Sequence, residues 1–454
     1  MCQIRQVLTL IAGKVEDADA LSDLTPQPPS PRVQGRTGDF TERTKIGMVV
    51  VISLPREATA MPSEIVHEQI VAELDRHLDV RVDRSSRERL ALLVRGMIEA
   101  HSACPARIAA ALRKLGVCQA KTASLERQIR RLENDPEVQA SLCVHPFARA
   151  HLRWGRPKRL VLLLDPTSQD QRVVMLTAAV WYRGRALPLA WACWPANTPL
   201  SGPRFWQRVG ALLKEVASLL PAGVPVTWLA DRAFGTPAFT DQVAAYGWHW
   251  VVRVQGQTRY RDQPGRERTL RELVNGPGSR AKGRGRVFKK HGWRHASVVA
   301  FWGRKFTAPL LLVSDLPPGW DLLALYRRRY AIETEFRDYK SSGWQWERGQ
   351  VMDLAHVERL LVGMALATWL VVCAGAQEAA EALAASPTGK RRTLPHEGKR
   401  SLFTLGLQNF AHWVRQLGPL CWRLTDWDAP NWSHQIYSHH AHAFIFRELL
   451  PVRP

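Results

Sequence analysis

The chain has 454 residues, and 46% of them are hydrophobic, which is enough for a full core and excludes global disorder. Its formal net charge of +22 at pH 7 indicates an anionic partner, most simply a nucleic acid. The seven cysteines include no C-x2-C pair, which argues against a zinc ribbon or a disulfide framework and favours a reducing, cytoplasmic location.

Residues 1–60 show no regular pattern and include the proline-rich segment PQPPSPR. Such a segment has too few periodic apolar residues to form an element, so we expect a disordered extension. A translation start at Met48 or Met61 is an alternative, and it would shorten or remove this extension.

Residues 61–150 are predicted to be helical. The run ARIAAALRKLGVCQAKTASLERQIRRLEND indicates a helix, a glycine-containing turn and a second helix that carries Lys121, Arg127, Arg130 and Arg131. One interpretation is a helix-turn-helix that binds a DNA end, and the other is an ordinary helical hairpin. Both alternatives remain open from the sequence.

Residues 151–255 alternate between strand and helix patterns. The apolar runs RLVLLLD and PVTWLAD each predict a buried strand that ends in an acid, at Asp165 and at Asp231. Between them, VVMLTAAVWY and ALPLAWACW predict a hairpin, and FWQRVGALLKEVASLL predicts a helix. An aspartate after a strand is often a turn former or a helix cap, but beyond the strand ends of an open sheet it also faces the functional crevice.

Residues 256–315 form a predicted insertion that is rich in strands and in cations. RHASVVAFWG and FTAPLLLVSDLP predict strands after a Gly-rich stretch. The cations of this region are Arg280, Lys282, Arg284, Arg286, Lys289, Lys290 and Arg294. They predict a phosphate track with salt-dependent binding, and solubility alone is the alternative explanation.

Residues 316–380 contain the most informative segment, LYRRRYAIETEFRDYK. Its spacing Y-x2-R-x3-E-x6-K places Tyr326, Arg329, Glu333 and Lys340 together on one side of a predicted continuous helix. The apolar stripe of that helix consists of Leu325, Ile332, Phe336 and Tyr339. A solvated helix with an Arg329–Glu333 ion pair is the alternative.

Three carboxylates on buried elements suit a metal site. Asp165, Asp231 and Glu333 can together hold two divalent ions about 3.5–4 Å apart, the arrangement used for in-line phosphodiester displacement. Oxygen ligands favour Mg²⁺ or Mn²⁺ over zinc.

Asp165 in LLLDPT, Asp231 in WLADRAFG and the Y-x2-R-x3-E-x6-K segment resemble a bacterial DDE transposase of the insertion-sequence-4 type over about residues 155–375. The resemblance implies an α/β, ribonuclease-H-like core whose mixed sheet is flanked by helices and carries a β-rich insertion. It implies metal binding and catalysis by Asp165, Asp231 and Glu333. The expected DNA-contacting residues are Tyr326, Arg329, Lys340, Arg337 and Arg232.

The implied activity is that of an insertion-sequence transposase, which binds terminal inverted repeats on double-stranded DNA and catalyses strand cleavage and transfer. Pairing of two ends implies a homodimer. A catalytically silent, transposase-derived DNA-binding protein and a structure-specific nuclease on the same fold are the alternatives. Related transposases place a base-stacking Trp where this chain has Ala308 and Pro309; Trp293 and Trp302 lie nearby and otherwise pack within the insertion.

The C-terminal part begins with the apolar run LLVGMALATWLVVCAGA at residues 360–376, for which we expect a buried helix rather than a membrane span. Residues 381–454 are predicted to be basic and helical, with SLFTLGLQNFAHWVRQLG as an amphipathic helix. The cations there are Lys390, Arg391, Arg392, Lys399 and Arg400. The segment SHQIYSHHAHAF is a weak metal-binding pattern.

Overall fold

The structure is a computed structural model that describes residues 63–417, apart from 118–119, 171, 350, 352 and 385–400, together with residues 423, 424 and 427. Three features of the sequence lie outside the described residues. They are the extension 1–60 with its alternative starts, the basic cluster between Lys390 and Arg400, and the histidine-containing segment near the C-terminus.

In the described part of the chain, ten strands form one mixed sheet. The strands are β1 (Leu160–Gln169), β2 (Val173–Tyr182), β3 (Arg185–Pro195), β4 (Val226–Ala230), β5 (His249–Arg253), β6 (Arg259–Asp262), β7 (Glu267–Thr269), β8 (Arg280–Val287), β9 (Arg294–Phe301) and β10 (Leu310–Ser314). Their order across the sheet is β3-β2-β1-β4-β5-β10-β9-β8-β6-β7.

The helices of the described residues lie before, between and after these strands. They are α1 (Ser63–His77), α2 (Arg84–Ala100), α3 (Pro105–Leu115), α4 (Thr122–Leu132), α5 (Ala140–Gly155), α6 (Gly202–Ala217), α7 (Pro237–Ala244), α8 (Asp321–Arg327), α9 (Tyr330–Arg337), α10 (Leu354–Ala384) and α11 (Leu402–Leu417).

The first five strands have the ribonuclease-H-like arrangement. β1, β2 and β3 are antiparallel neighbours, and β4 and β5 then continue parallel to β1. Helices α5, α6 and α10 pack against β3, and α7 packs against β5. The central strands are buried on both faces, and for this reason their sequences are continuous apolar runs. The predicted fold class, with its β-rich insertion and helical ends, is confirmed, and the residue boundaries of the domains stay a prediction.

The hairpin between β2 and β3 follows from its turn residues. Arg183 and Gly184 both have positive φ angles, 46° and 92°. These angles fit a two-residue turn whose backbone twist matches the twist of the two strands that it joins. All ten positions of β2 are buried, so this hairpin forms the middle of the core rather than an exposed edge.

The insertion continues the sheet of the core instead of forming a separate layer. β10 pairs antiparallel with β5 on one side and with β9 on the other, and β9 pairs with β8. Hydrogen bonds between strands therefore connect β8 to the core without a break.

Helix α10 is the one described helix that is long and apolar enough to cross a membrane by length and composition. Its apolar window is 94% buried inside the protein, where it packs against β3, α2, α5 and α11. The prediction of a buried helix is confirmed.

Two glycines let α10 and α11 cross at backbone contact. A Cβ atom on Gly375 would lie 1.8 Å from the carbonyl oxygen of Leu402, and one on Gly406 would lie 1.7 Å from that of Val371. No side-chain rotation relieves a clash with a carbonyl oxygen, so a larger residue forces the helices apart.

We therefore expect Gly406→Ala to lower the free energy of unfolding by about 1–3 kcal/mol, the usual cost of overpacking a core. Urea unfolding followed by circular dichroism measures the change. Gly276→Ala is the matched control, because a Cβ atom there meets nothing within 4 Å. Equal stability of the Gly406 and Gly276 variants would contradict the tight crossing.

Candidate active site

Asp165 and Asp231 emerge side by side from neighbouring parallel strands. The last residues that β1 and β4 pair with each other are Leu164 and Ala230, and each aspartate directly follows one of them in the sequence. Asp231 then precedes a 3-10 turn, Arg232–Phe234. The register of two buried strands thus fixes the relative position of the two carboxylates.

One detail of the prediction is wrong, since β1 does not end at Asp165. The strand continues to Gln169, with Pro166 and Thr167 paired to β2. Proline is tolerated here because β4 has ended at Ala230, and β1 is then paired on one side only. Asp165 still marks the place where the parallel pairing stops.

The predicted continuous helix around Glu333 is also wrong. The segment forms α8, then α9, then a π-helical turn at Asp338–Ser342. At the junction the amide of Arg329 bonds to the carbonyl of Tyr326, and the amide of Ile332 bonds to the carbonyl of Arg329. These i to i+3 bonds tighten the chain locally, whereas the π turn widens it, so the heptad alignment is lost.

The structure brings Tyr326, Arg329 and Glu333 to the two aspartates. The Tyr326 hydroxyl donates to Asp231 Oδ1 at 3.4 Å, and Arg329 Nη1 donates to Asp165 Oδ2 at 2.9 Å. Arg329 Nη2 also donates to Glu333 Oε1. One guanidinium therefore bridges an acid of the sheet and an acid of α9.

The apolar stripe predicted for this segment faces the core. Ile332, Phe336 and Tyr339 are buried and Leu325 is half-buried. The stripe is confirmed although the helix is interrupted, because each short helix keeps its own apolar residues on the inner side.

The other predicted DNA contacts lie around this cluster. Lys340, on the π turn, pairs with Glu347 at 3.6 Å instead of aligning with Glu333. Arg337 is exposed one turn after Glu333 on α9, and Arg232 is half-buried in the turn that follows Asp231. Trp293 and Trp302 receive the guanidinium groups of Arg261 and Arg271 on their rings, as expected for packing within the insertion.

Arg253, the last residue of β5, also belongs to the site and was not predicted from the sequence. This buried side chain places Nη1 4.0 Å from Asp231 Oδ1. Its backbone passes close to Gly235, where a Cβ atom would lie 2.5 Å from the Arg253 carbonyl oxygen. The sequence signal for this residue was a cation at the end of the apolar run HWVVR. That run forms the strand parallel to β4, which leads to Asp231.

The electrostatics of the cluster differ between its two aspartates. Burial raises the pKa of Asp165 to about 7, a rise that Arg329 opposes and that Asp231 and Glu333 reinforce. Burial would also raise the pKa of Asp231, but the charges of Arg329 and Arg253 outweigh it and lower that pKa. The pKa of Arg329 is raised because the surrounding acids outweigh the effect of its burial.

The donor chemistry of the cluster suits a hard divalent cation, since two aspartates and a glutamate offer only oxygen ligands. Among the described residues, however, no three His, Cys, Asp or Glu groups lie close enough to enclose an ion. The guanidinium of Arg329 bonds to one oxygen of Asp165 and one oxygen of Glu333, two of the three acids that would hold such an ion.

Comparison with known proteins identifies one domain. Residues 205–370 match the family described as Transposase DDE domain, a span that contains Asp231, Tyr326, Arg329 and Glu333 but begins after Asp165. No curated protein matches the chain. Among solved structures, human ENDOV is similar at 12% identity with a TM-score of 0.24, over 43% of this chain and 95% of that chain. The family match supports a DDE transposase.

Proposed function

We propose that the protein is the transposase of an insertion sequence of the insertion-sequence-4 type, which binds the terminal inverted repeats of its element and cuts and joins DNA there. The observation that carries this proposal is that Asp165 and Glu333 both pair with the buried Arg329, next to Asp231 and its hydrogen-bond partner Tyr326. The matching transposase domain supports the same reaction class.

In the proposed mechanism Asp165, Asp231 and Glu333 would hold Mg²⁺ or Mn²⁺, which when bound supplies Lewis-acid stabilisation for in-line displacement at phosphorus. Tyr326 and Arg253 hold the Asp231 carboxylate in place. Water attacks the phosphodiester at the element end and releases a 3′-hydroxyl, which attacks target DNA in the same way. No covalent intermediate with the protein is required.

The basic strand β8 offers a surface for DNA phosphates. Its cations occupy every second position, at Arg280, Lys282, Arg284 and Arg286, so they share one face. Through the pairs Lys282–Val299, Val299–Leu312 and Leu312–Arg253, that face is also the face of Arg253. Phosphates bound along β8 would lie on the Arg253 side of the sheet, with the buried residues Val299 and Leu312 between them and Arg253.

Helix α4 is the part of the N-terminal region best suited to contact an element end. It follows α3 after a turn that begins at Gly116, whose positive φ of 70° ends α3, and α2, α3 and α4 pack together. Arg127 and Arg131 on this helix are exposed, as is Lys121 directly before it, whereas Arg130 pairs with Glu126. We propose that this helix lies in a DNA groove, that two protomers pair two ends, and that the protein acts in the cytoplasm on the nucleoid.

The catalytic assignment predicts that Asp231→Asn abolishes strand cleavage. DNA that carries the flanking ends of the gene is incubated with Mg²⁺, and cleavage at the boundary should fall at least about 100-fold, because a charged ligand is removed from the reaction centre. Asp241→Asn is the matched control, since its exposed ion pair with Arg294 contributes little.

Full cleavage by the Asp231 variant would refute the catalytic assignment. Binding to the boundary without cleavage by the wild type would favour the silent DNA-binding protein. Cleavage that depends on DNA structure and ignores the boundary sequence would favour the nuclease.

Charge on β8 predicts a change in the salt dependence of DNA binding. Replacing Lys282, Arg284 and Arg286 by Ala should flatten the slope of log affinity against log salt by about 0.9 for each phosphate that the variant no longer neutralises. The matched control replaces three exposed cations of α6, Arg204, Arg208 and Lys214, by Ala. An equal change of slope in both triple variants would show that only net charge matters.

The role of α4 predicts a weaker sequence preference when its cations are removed. Arg127→Ala with Arg131→Ala should reduce the ratio of affinities for the element end over unrelated DNA, measured by fluorescence anisotropy at fixed salt. Arg130→Ala should reduce it less, because Glu126 already holds that guanidinium. An unchanged ratio in the double variant would support the ordinary helical hairpin.

A further inference from the structure

Arg329 has surroundings that are unusual for a residue expected to contact DNA. Only 8% of it is exposed, and its guanidinium donates to Asp165 and Glu333, on separate elements. Its partner Glu333 has a side chain that is 43% exposed, so solvent or a ligand reaches the pair from the α9 side.

The position of this guanidinium conflicts with a second cation on the same oxygens. The lone pairs of Asp165 and Glu333 that accept from Arg329 are among those that a divalent ion would need. Two cations at contact distance in a buried site repel strongly. An arginine does not lose its proton in a protein, so Arg329 must move before an ion binds.

The backbone of Arg329 lies at a natural hinge. Arg328 and Arg329 lie between α8 and α9, where i to i+3 bonds replace the regular helix pattern. A rearrangement there does not need to unwind a long helix. Asp231 would retain a cationic neighbour, because Arg253 comes from β5 and is fixed independently of this junction.

We propose that Arg329 closes the acid cluster to divalent cations in the free protein, and that a DNA phosphate releases it by accepting the guanidinium. This inference rests on the proposed function, because it assumes that the three acids bind the ion. Guanidinium groups bind phosphate in a bidentate manner, so the phosphate replaces both carboxylate partners at once. Metal and DNA then bind cooperatively, and each raises the affinity for the other by the same factor.

Mn²⁺ binding to the full chain tests this directly, without a measurement of activity. Isothermal titration should show that Arg329→Gln binds Mn²⁺ about tenfold more tightly than the wild type in the absence of DNA. Arg327→Gln is the matched control, an exposed arginine two positions away, and should match the wild type. A duplex that carries the element end should tighten Mn²⁺ binding to the wild type and have a smaller effect on Arg329→Gln.

Thermal unfolding distinguishes a change in Mn²⁺ affinity from a folding defect of the variant. Without Mn²⁺ the Arg329→Gln variant should unfold at a lower temperature than the wild type, because Asp165 and Glu333 are left without the cation that they share. Mn²⁺ should then raise its Tm more than it raises that of the wild type. If Arg329→Gln does not fold, Arg329→Lys serves instead, since a lysine does not form the two-pronged bridge and should give an intermediate affinity.

Equal Mn²⁺ affinity in the wild type and Arg329→Gln, abolished in both by Asp165→Asn, would overturn the role of Arg329 and leave the proposed function intact. Weaker binding by Arg329→Gln would likewise overturn it. Absence of Mn²⁺ binding in every variant, with and without the DNA duplex, would overturn both this inference and the proposed metal-dependent reaction.

Discussion

The parallel pairing of β1 with β4 is the constraint on which the rest of the site depends. Its last pair, Leu164 with Ala230, places two carboxylates next to each other at the edge of a buried sheet. Two carboxylates in that position repel each other when both are charged. Cations from two elements offset this repulsion: Arg253 of β5 lies beside Asp231, and Arg329 of the α8–α9 junction pairs with Asp165. The break between α8 and α9 is consistent with this arrangement, since Tyr326 and Arg329 are buried while Arg327 stays exposed.

The packing behind the sheet supports this arrangement. Helix α10 lies against β3, and its close crossing with α11 at Gly375 and Gly406 fills the region with tightly packed backbone. A well-packed interior has few alternative arrangements, so the strand register that positions Asp165 and Asp231 is held firmly.

Periodicity and composition predicted the scaffold well. The runs that became β2, β3 and α6 have a single dominant pattern, and burial decides their structure. The sequence also indicated the three acids. It failed where tertiary contacts override local pattern, as in the helix break at Arg329, whose guanidinium pairs with Asp165 of the distant strand β1. Strand β8 was read only as a Gly-rich basic stretch, because its period of two is carried by cations rather than apolar residues. Arg253 was missed because its partner is known only once β4 and β5 are paired.

The uninterrupted sheet has a geometric consequence for the insertion. Four strand spacings separate β8 from β4, which at about 4.8 Å each amounts to about 19 Å. Duplex DNA rises about 3.4 Å per base pair along its axis, so this span corresponds to about six base pairs. Because hydrogen-bonded strands neither stretch nor hinge easily, the number of strands between β8 and β4 sets how far any phosphate held on β8 would lie from Asp231.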